Sequence, residues 1–199
     1  MKKFSTKVSK NILFVKNMVC NRCIKVVREE LNKIGVKIKS ITLGEVETEL
    51  PVNKLPLKKI SEVLLENGFE LIEDSKAKII EKIKNEIISV IQQYEKIDLD
   101  TINLSEPLSK KLMKDYSYLS SLFSNTEGIT IEHYTILQKI EKAKELLKYG
   151  ELTLSEISYR LGYSSVQHLS RQFKNVSGLT ASEYKNNLSN LRKPLDGVK

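Results

Sequence analysis

The stretch LSEISYRLGYSSVQHLSRQFKNVSGLTASEY, residues 154–184, decides the fold of the C-terminal half of the chain. A first predicted helix carries apolar residues on one face, at Leu154, Ile157 and Leu161. Gly162 supplies the turn after it, and Ser164 or Ser165 caps the next helix. That second helix has an apolar stripe spaced three and four residues apart, formed by Val166, Leu169, Phe173 and Val176. The stretch therefore predicts two short helices joined by a tight turn.

The opposite face of the second predicted helix is polar, and it carries Gln167, His168, Ser170, Arg171 and Lys174. We call these residues the second row. A short helix that packs through one apolar stripe fits the major groove of DNA, which is wide enough to admit a helix. Taken alone, the second row is equally typical of a helix face that contacts only solvent.

The same pattern occurs fifty residues earlier, as LSEPLSKKLMKDYSYLSSLFSNTEGITIEHY at residues 104–134. Ten aligned positions are identical, among them Phe123 and Phe173. We call residues 104–134 the first copy and residues 154–184 the second copy of a helix-turn-helix unit. The duplication predicts a first row of DNA-facing residues, formed by Tyr116, Ser117, Ser120 and Ser121.

The segment between the two predicted DNA-facing helices reads as one long helix from about Ile131 to Tyr149, with an apolar side formed by Tyr134, Leu137, Ile140, Ala143 and Leu147. A helix of this length spans roughly 28 Å. One turn of B-DNA measures about 34 Å. A rod of this length would let one monomer read two successive major grooves on one side of a duplex.

Residues 77–188, with their leading helix, two helix-turn-helix copies and connecting helix, resemble the DNA-binding domain of AraC-type bacterial transcription regulators. The second copy carries the family's signature and departs from it at Ala181, where proline is usual. The first copy departs at Met113, where a turn glycine is usual, and at Ser121, where arginine is frequent. The resemblance implies that the partner is double-stranded promoter DNA and that the function is transcription regulation.

The two copies differ in charge. Residues 153–193 contain six basic and two acidic side chains, whereas residues 95–152 contain eight basic and ten acidic ones. Ser121 also removes a side chain that could read guanine through two hydrogen bonds. We infer that the second copy anchors DNA and that the first adds a weaker contact.

The leading helix is predicted over Ser75–Glu95, with a heptad seam at Ile80, Ile83, Ile87, Val90 and Tyr94. A dimerising coiled coil would need three or four heptads, and only about two are present. We therefore interpret the seam as a packing face within one chain. Monomer and weak dimer both stay open.

Residues 11–74 predict a different domain. Strands are expected at Ile12–Lys16, Ile38–Leu43, Glu45–Leu50 and Phe69–Glu73, and helices at Asn21–Ile34 and Leu55–Asn67. The order βαββαβ is that of the ferredoxin-like fold. The chain is thus predicted to be an α+β protein of two domains, residues 11–74 and 77–188.

The segment NMVCNRC joins the first strand of this domain to its first helix, and with it the domain resembles the heavy-metal-associated domains of copper chaperones and metal-pumping ATPases. Met18, Cys20, Cys23 and the NGFE before the last strand match that pattern. Asn17 stands where glycine is usual, and Val19 where threonine is usual. The resemblance covers about one third of the chain.

Cys20 and Cys23 are the only cysteines. Cys23 falls in the first helical turn, where free N–H groups and the neighbouring Arg22 and Lys25 favour a thiolate. Two thiolates suit Cu(I), whereas Zn(II) would need two further ligands. Three interpretations stay open: a site for a soft metal ion, a thiol redox switch, and an inherited fold whose cysteines do little.

The composition supports a DNA-binding function without deciding it. The 199 residues carry a net charge of +8, which favours an anionic partner. The apolar run Ile12–Val15 is too short for a signal peptide, and no segment approaches a membrane span, so we expect a cytoplasmic protein that does not contact membranes. No set of nucleophile, base and orienting residue is present, so no catalytic residue and no enzyme activity are predicted.

The sequence therefore predicts a sequence-specific transcription regulator that requires no cofactor, with a soft metal ion or thiol oxidation as the candidate signal if the cysteines are functional. The alternative is a metal-trafficking protein whose helical half docks a protein partner.

Overall fold

The computed structural model describes residues 11–92 and 104–186. The chain divides into two compact units, the first ending at Asn85 and the second beginning at Glu86. An antiparallel sheet of four strands lies in the first unit, and the described part of the second is helical, so the protein is α+β as predicted. None of the helices in these described stretches is long and apolar enough to cross a membrane.

The elements up to the division follow the order predicted from the sequence. They are β1 Ile12–Lys16, α1 Asn21–Lys33, β2 Ile38–Thr42, β3 Glu45–Thr48, α2 Leu57–Glu66, β4 Glu70–Ile72 and α3 Ser75–Gln92, with a 3₁₀ turn at Val52–Lys54. The strand order in the sheet is β2-β3-β1-β4. Alternate residues of β1 and β3 are buried, and α1 and α2 pack on this buried side, so that one core is formed by residues that include Leu13, Val15, Val27, Leu31, Val46, Ile60 and Leu64.

The bounds of β1 are as predicted, and other elements are shorter than predicted. Strand β3 ends at Thr48, two residues before Leu50, because the Thr48 hydroxyl donates to the carbonyl of Leu50 at 2.7 Å and closes a turn there. Helix α2 begins at Leu57 because its N-cap is Pro56, a residue that helices accept only at their start.

Helix α3 starts at a cap formed by Asp74, whose carboxylate accepts hydrogen bonds from the N–H groups of Ala77 and Lys76 at 2.8 and 2.9 Å. These bonds, that from Ala77 first, hold the pKa of Asp74 below its ordinary value. The predicted helix is confirmed as far as Gln92, and Tyr94 and Glu95 lie outside the described residues.

The predicted heptad seam is covered within the single chain. Ile80, Ile83 and Ile87 are all buried, and so are Ile88 and Ile91, which lie beside the seam. This broad burial favours the packing interpretation over a two-helix coiled coil.

The second unit contains six further helices within its described part. They are α4 Ser105–Leu112, α5 Tyr116–Glu127, α6 Ile131–Tyr149, α7 Leu154–Arg160, α8 Val166–Ser177 and α9 Ala181–Asn186. The long helix α6 has the predicted bounds. Leu188, the predicted end of the domain, lies outside the described residues.

The two copies repeat one packing arrangement. In the first copy the rings of Phe123 and Tyr134 meet edge to face at 5.5 Å, and in the second copy those of Phe173 and Tyr184 do so at 5.6 Å. These four residues are pairwise identical at the fifty-residue offset. The repeat seen in the sequence is therefore a repeat of side-chain contacts.

The copies differ at the turn between their two helices. Gly162 has a φ of +65° in the second copy. The first copy takes the left-handed conformation at Met113, with a φ of +51°, one position later than Gly162 at the fifty-residue offset. Only glycine adopts this region without a steric penalty. The first copy thus carries backbone strain that the second lacks.

We expect Met113→Gly to raise the free energy of unfolding by about 1 kcal/mol, because it relieves the left-handed penalty. The Met113 side chain is 92% exposed, so its removal loses little packing. Urea unfolding measures the change. The matched control is Gly178→Ala at a φ of +76°, where an added Cβ has no neighbour within 4 Å. It should destabilise by a similar amount, and a loss of stability in Met113→Gly would contradict the strain argument.

Candidate nucleic-acid interface

Helix α8 is positioned by its buried side and by its cap. Leu169 and Phe173 are fully buried, and Ser165, one of the two predicted caps, accepts a hydrogen bond from the N–H of His168 at 3.1 Å. Both features fix the rotation of the helix about its own axis. The opposite side of α8 is therefore presented in one orientation.

Most of the second row lies on that exposed side. Gln167, Arg171 and Lys174 are exposed, and Ser170 is half-buried. Residues four and seven positions apart share a helix face, so these side chains form one strip about 10 Å long. Within the described residues Arg171 forms no ion pair, which leaves its guanidinium available to a ligand.

His168 is held differently from the rest of the second row. Its Nδ1 lies 3.3 Å from the Ser164 hydroxyl, and its ring meets the buried ring of Tyr163 edge to face at 5.4 Å. The Nζ of Lys139, from α6, lies 5.2 Å from the centre of that same Tyr163 ring. Burial lowers the pKa of Lys139. His168 is thus half-buried against the protein.

The contribution of Tyr163 and Lys139 to this site was not predicted. Tyr163 directly follows the turn glycine, Gly162. An aromatic residue at this point is the one feature of the sequence that could have indicated a packing role there. Lys139 gave no signal, because its partner Tyr163 lies 24 residues later, in the turn between α7 and α8.

The first row contains one residue whose polar group is already bonded. Ser117 and Ser121 are exposed and Ser120 is half-buried, whereas the Tyr116 hydroxyl donates to the Glu132 carboxylate at 2.5 Å. This hydrogen bond lowers the pKa of Glu132, while burial and the same carboxylate raise the pKa of Tyr116. Tyr116 therefore links α5 to the first turn of α6.

The two rows differ in charge as well as in side-chain length. Helix α5 contains no Lys or Arg along its whole length, whereas α8 contains Arg171 and Lys174. Lysine and arginine supply most of the affinity for phosphates in protein–DNA complexes. The strip on α8 is therefore the stronger candidate for anchoring a duplex.

A second candidate site lies in the first unit, where Cys20 is the N-cap of α1 and Cys23 lies in its first turn. Their sulfurs are 3.4 Å apart, and both thiols are half-buried. Metal–thiolate bonds are about 2.3 Å long for zinc. Two sulfurs at this separation can contact one ion.

A four-coordinate zinc site is not assembled around these thiols by the residues that the structure describes, which contain no cluster of three or more His, Cys, Asp or Glu side chains suited to a metal. The thiol pair fits an ion that accepts two soft ligands, such as Cu(I).

The expectation that the first helical turn favours a thiolate at Cys23 does not hold, because the pKa of that thiol is raised. Burial raises the pKa of Cys23, and the neighbouring Cys20 side chain adds to the increase. Burial also opposes ionisation of Cys20, but polar groups of Cys23 and Arg22 outweigh it and lower the pKa of that thiol. The N-cap position rather than the first turn favours the thiolate here.

The loop before the cysteines keeps the conformation that glycine would give. Asn17 has a φ of +70°, in the left-handed region that asparagine tolerates better than most residues. Its side-chain Nδ2 donates to the Gly68 carbonyl at 3.0 Å, and its backbone N–H donates to the Glu81 carboxylate at 3.3 Å. The cysteine loop is therefore bonded to α3, a contact that the sequence did not predict.

Comparison with known protein families and proteins finds similarity mainly in the C-terminal half of the chain. Residues 108–187 match the model of a helix-turn-helix domain. The Msm operon regulatory protein of Streptococcus mutans is 25% identical over 143 residues, covering 68% of this chain and 51% of that protein. The F1 operon positive regulatory protein of Yersinia pestis is 31% identical over 103 residues, covering 49% of this chain and 32% of that protein.

A further relative is an HTH-type transcriptional regulator of Escherichia coli, YdiP, which is 34% identical over 85 residues, covering 43% of this chain and 28% of that protein. The chain thus spans about half or less of the length of these relatives. The C-terminal domain of AraT, a response regulator from Geobacillus stearothermophilus, is similar at 25% identity and a TM-score of 0.47, covering 57% of this chain and 88% of that one.

Residues 108–187 are therefore similar to a helix-turn-helix domain, and two of the named relatives are operon regulatory proteins. Both rows lie within the matched residues.

We expect the Tyr116–Glu132 hydrogen bond to give the protein a measurable dependence of stability on pH. Because the pKa of Glu132 is lowered in the folded state, its contribution is complete above the unfolded value of about 4.3 and is lost as the pH falls through the folded value. Glu132 is exposed, so solvent screening limits the contribution to about 1 kcal/mol or less.

Urea unfolding between pH 3 and pH 6 measures this dependence. Tyr116→Phe should lose stability near pH 6 and converge on the wild type toward pH 3. Tyr159→Phe, which removes an exposed hydroxyl from α7, should keep the wild-type profile. Parallel profiles for the wild type and Tyr116→Phe would show that Tyr116 does not stabilise the Glu132 carboxylate.

Proposed function

We propose that this protein is a sequence-specific DNA-binding transcription regulator of the AraC type. The observation that carries the proposal is the strip on α8, in which Gln167, Arg171 and Lys174 are exposed on a helix fixed by its cap and its buried side. A helix presented in this way suits the major groove. The match to a helix-turn-helix domain and the relatives that regulate operons support the same function.

The proposal assigns two helix-turn-helix motifs, α4–α5 and α7–α8, with α5 and α8 as the reading helices. Helix α6 joins them, and its nineteen residues span roughly 28 Å. We assign base contacts to Gln167, Ser170 and Arg171, and phosphate contacts to His168 and Lys174. The first row, Tyr116, Ser117, Ser120 and Ser121, is assigned weaker contacts because α5 has no basic residue.

We expect Arg171→Ala to weaken binding to a specific duplex by about 1–3 kcal/mol, with a smaller loss on random DNA, because arginine reads a base edge through two hydrogen bonds. Lys174→Ala should weaken binding to all sequences and reduce the slope of log K against log salt by about one unit. Fluorescence anisotropy on a duplex selected from a random pool measures both effects.

The control is Lys59→Ala, which removes an exposed positive charge from α2 in the other unit. It should change neither affinity nor the salt slope by much. Equal losses on specific and random DNA in Arg171→Ala would reassign Arg171 to a phosphate contact. Absence of salt-dependent DNA binding by the wild type would instead favour the alternative of a metal-trafficking protein with a docked partner.

We further propose that the first unit is a ferredoxin-like domain of the heavy-metal-associated type and that it senses a soft metal ion. The βαββαβ order and the strand order β2-β3-β1-β4 support the fold. The two thiols at 3.4 Å support the ligand, and Cu(I) would accept one bond from each sulfur. The Asn17–Glu81 hydrogen bond gives the cysteine loop a direct contact with α3.

We expect one Cu(I) ion per chain under reducing conditions, and we expect Cys20→Ser or Cys23→Ser to abolish tight binding, because a hydroxyl is a hard ligand. If the ion regulates transcription, the affinity for DNA must differ between the free and the loaded protein. The measurement is DNA affinity with and without Cu(I), for the wild type and for the double serine variant.

The four curves separate the interpretations of the cysteines. A change in the wild type alone supports metal sensing. Identical curves would show that the cysteines do not signal, and a change that persists in the double serine variant would place the responding ligand elsewhere. A response of the wild type to oxidant but not to Cu(I) would favour the redox switch.

A further inference from the structure

An aromatic residue near the start of each reading helix contacts the connecting helix α6. At α5, the Tyr116 hydroxyl donates to Glu132 at 2.5 Å. At α8, the Tyr163 ring contacts the His168 ring, at 5.4 Å, and the Nζ of Lys139, at 5.2 Å. We call these contacts the first tie, Tyr116–Glu132, and the second tie, Lys139–Tyr163–His168.

The two ties meet α6 on the same face. Glu132 and Lys139 are seven residues apart, which is two turns of a helix and about 10.5 Å along its axis. Both reading helices are therefore fastened to one side of a single rigid element.

Neither tie comes from the duplication. At the fifty-residue offset the counterpart of Tyr116 is Val166, which has no hydroxyl, and the counterpart of Tyr163 is Met113, which is 92% exposed. Each copy thus reaches α6 with a contact that its sister cannot make. A hydrogen bond in one copy and an aromatic and cation contact in the other both connect a reading helix to α6. This indicates that the connection to α6 is important in itself.

The second tie contains groups that destabilise the folded protein, so a gain in stability does not account for its presence. Among the described residues the Tyr163 hydroxyl has no hydrogen-bond partner although it is buried, and partial burial of Lys139 lowers the pKa of its ammonium group. A buried unpaired hydroxyl and a desolvated cation are each unfavourable. The cation facing the ring offsets part of that cost and fixes where the ring stands.

We propose that the two ties set the separation and the relative rotation of the reading helices, so that the protein selects DNA by the distance between its two half-sites. This inference rests on the proposed function. Adjacent base pairs are rotated by about one tenth of a helical turn, since a turn holds 10–10.5 base pairs. A protein whose two reading helices cannot move relative to each other cannot follow an inserted base pair.

The test uses the full chain and a duplex recovered by the wild type from a random-sequence pool, with no, one or two base pairs inserted between the half-sites. We expect the wild type to lose roughly tenfold in affinity for one inserted base pair, a penalty of the size seen for a single base mismatch. Tyr116→Phe and Lys139→Met, which break one tie each, should lose only about twofold, because a loosened helix can follow the rotation.

Two matched controls separate the ties from other losses. Tyr149→Phe also removes a hydrogen bond between a tyrosine and a carboxylate, but that bond joins two residues within α6. Lys148→Met removes an exposed lysine from the same helix. Both should keep the wild-type spacing penalty.

The outcomes are distinguishable from failure of the proposed function. If the wild type binds no duplex selectively, the DNA-binding proposal is wrong. If it binds selectively but both tie variants keep the full spacing penalty, or if the wild type shows no penalty, the ties do not set the spacing. Since the two variants alter different elements, misfolding of one, detected by circular dichroism, leaves the other to decide.

Discussion

The second unit depends on the packing of both copies around α6. This helix buries residues on most of its circumference, including Ile131, Tyr134, Ile140, Ala143 and Leu147. Helices of seven to twelve residues, such as α4, α5, α7 and α8, are marginal in isolation. They are stable here because each buries apolar side chains: α5, α7 and α8 pack against α6, and α4 packs against α5. The apolar sides of α5 and α8 provide the packing that holds these helices in place, so the polar rows on their opposite sides face solvent.

Helix α6 also buries charge. Glu141 and Lys144 are both at least 95% buried and form an ion pair at 2.7 Å. Gln138, three residues before Glu141, is also buried. A buried ion pair contributes little net stability, because desolvation offsets the attraction between the charges. Its geometry is nevertheless demanding, since either charge left alone would be costly. Such a pair restricts how the surrounding helices can pack, and this restriction agrees with the proposed role of α6 as a spacer between α5 and α8.

The sequence was sufficient for features that depend on neighbours along the chain. Apolar spacing predicted the approximate bounds of α6, and the fifty-residue offset predicted the repeat. The serines before an apolar run predicted a cap at Ser164 or Ser165, and Ser165 is the one that caps α8. Contacts between elements were not accessible in this way. The Tyr116–Glu132 and Lys139–Tyr163 contacts depend on how α5 and the turn before α8 pack against α6. The lower pKa of Cys20 depends on hydrogen bonds with Cys23 and Arg22 that outweigh burial. Such features arise from packing rather than from periodicity.

In the first unit, the cysteine loop is connected by a hydrogen bond to α3, a helix that lies more than fifty residues later in the chain. Three contacts of different kinds hold the first half of α3: Asn17 donates to Glu81, Lys82 pairs with Glu45 at 2.8 Å, and the Nζ atoms of Lys78 and Lys82 lie 5.1 Å from the centre of the Phe14 ring. The fit is close at Gly44, where an added Cβ would lie 2.1 Å from the Nδ2 of Asn85. Of these contacts, only the bond from Asn17 originates three residues from a cysteine. A ligand bridging Cys20 and Cys23 would therefore bind three residues from a direct contact with α3, made to Glu81, a buried carboxylate whose displacement would be costly.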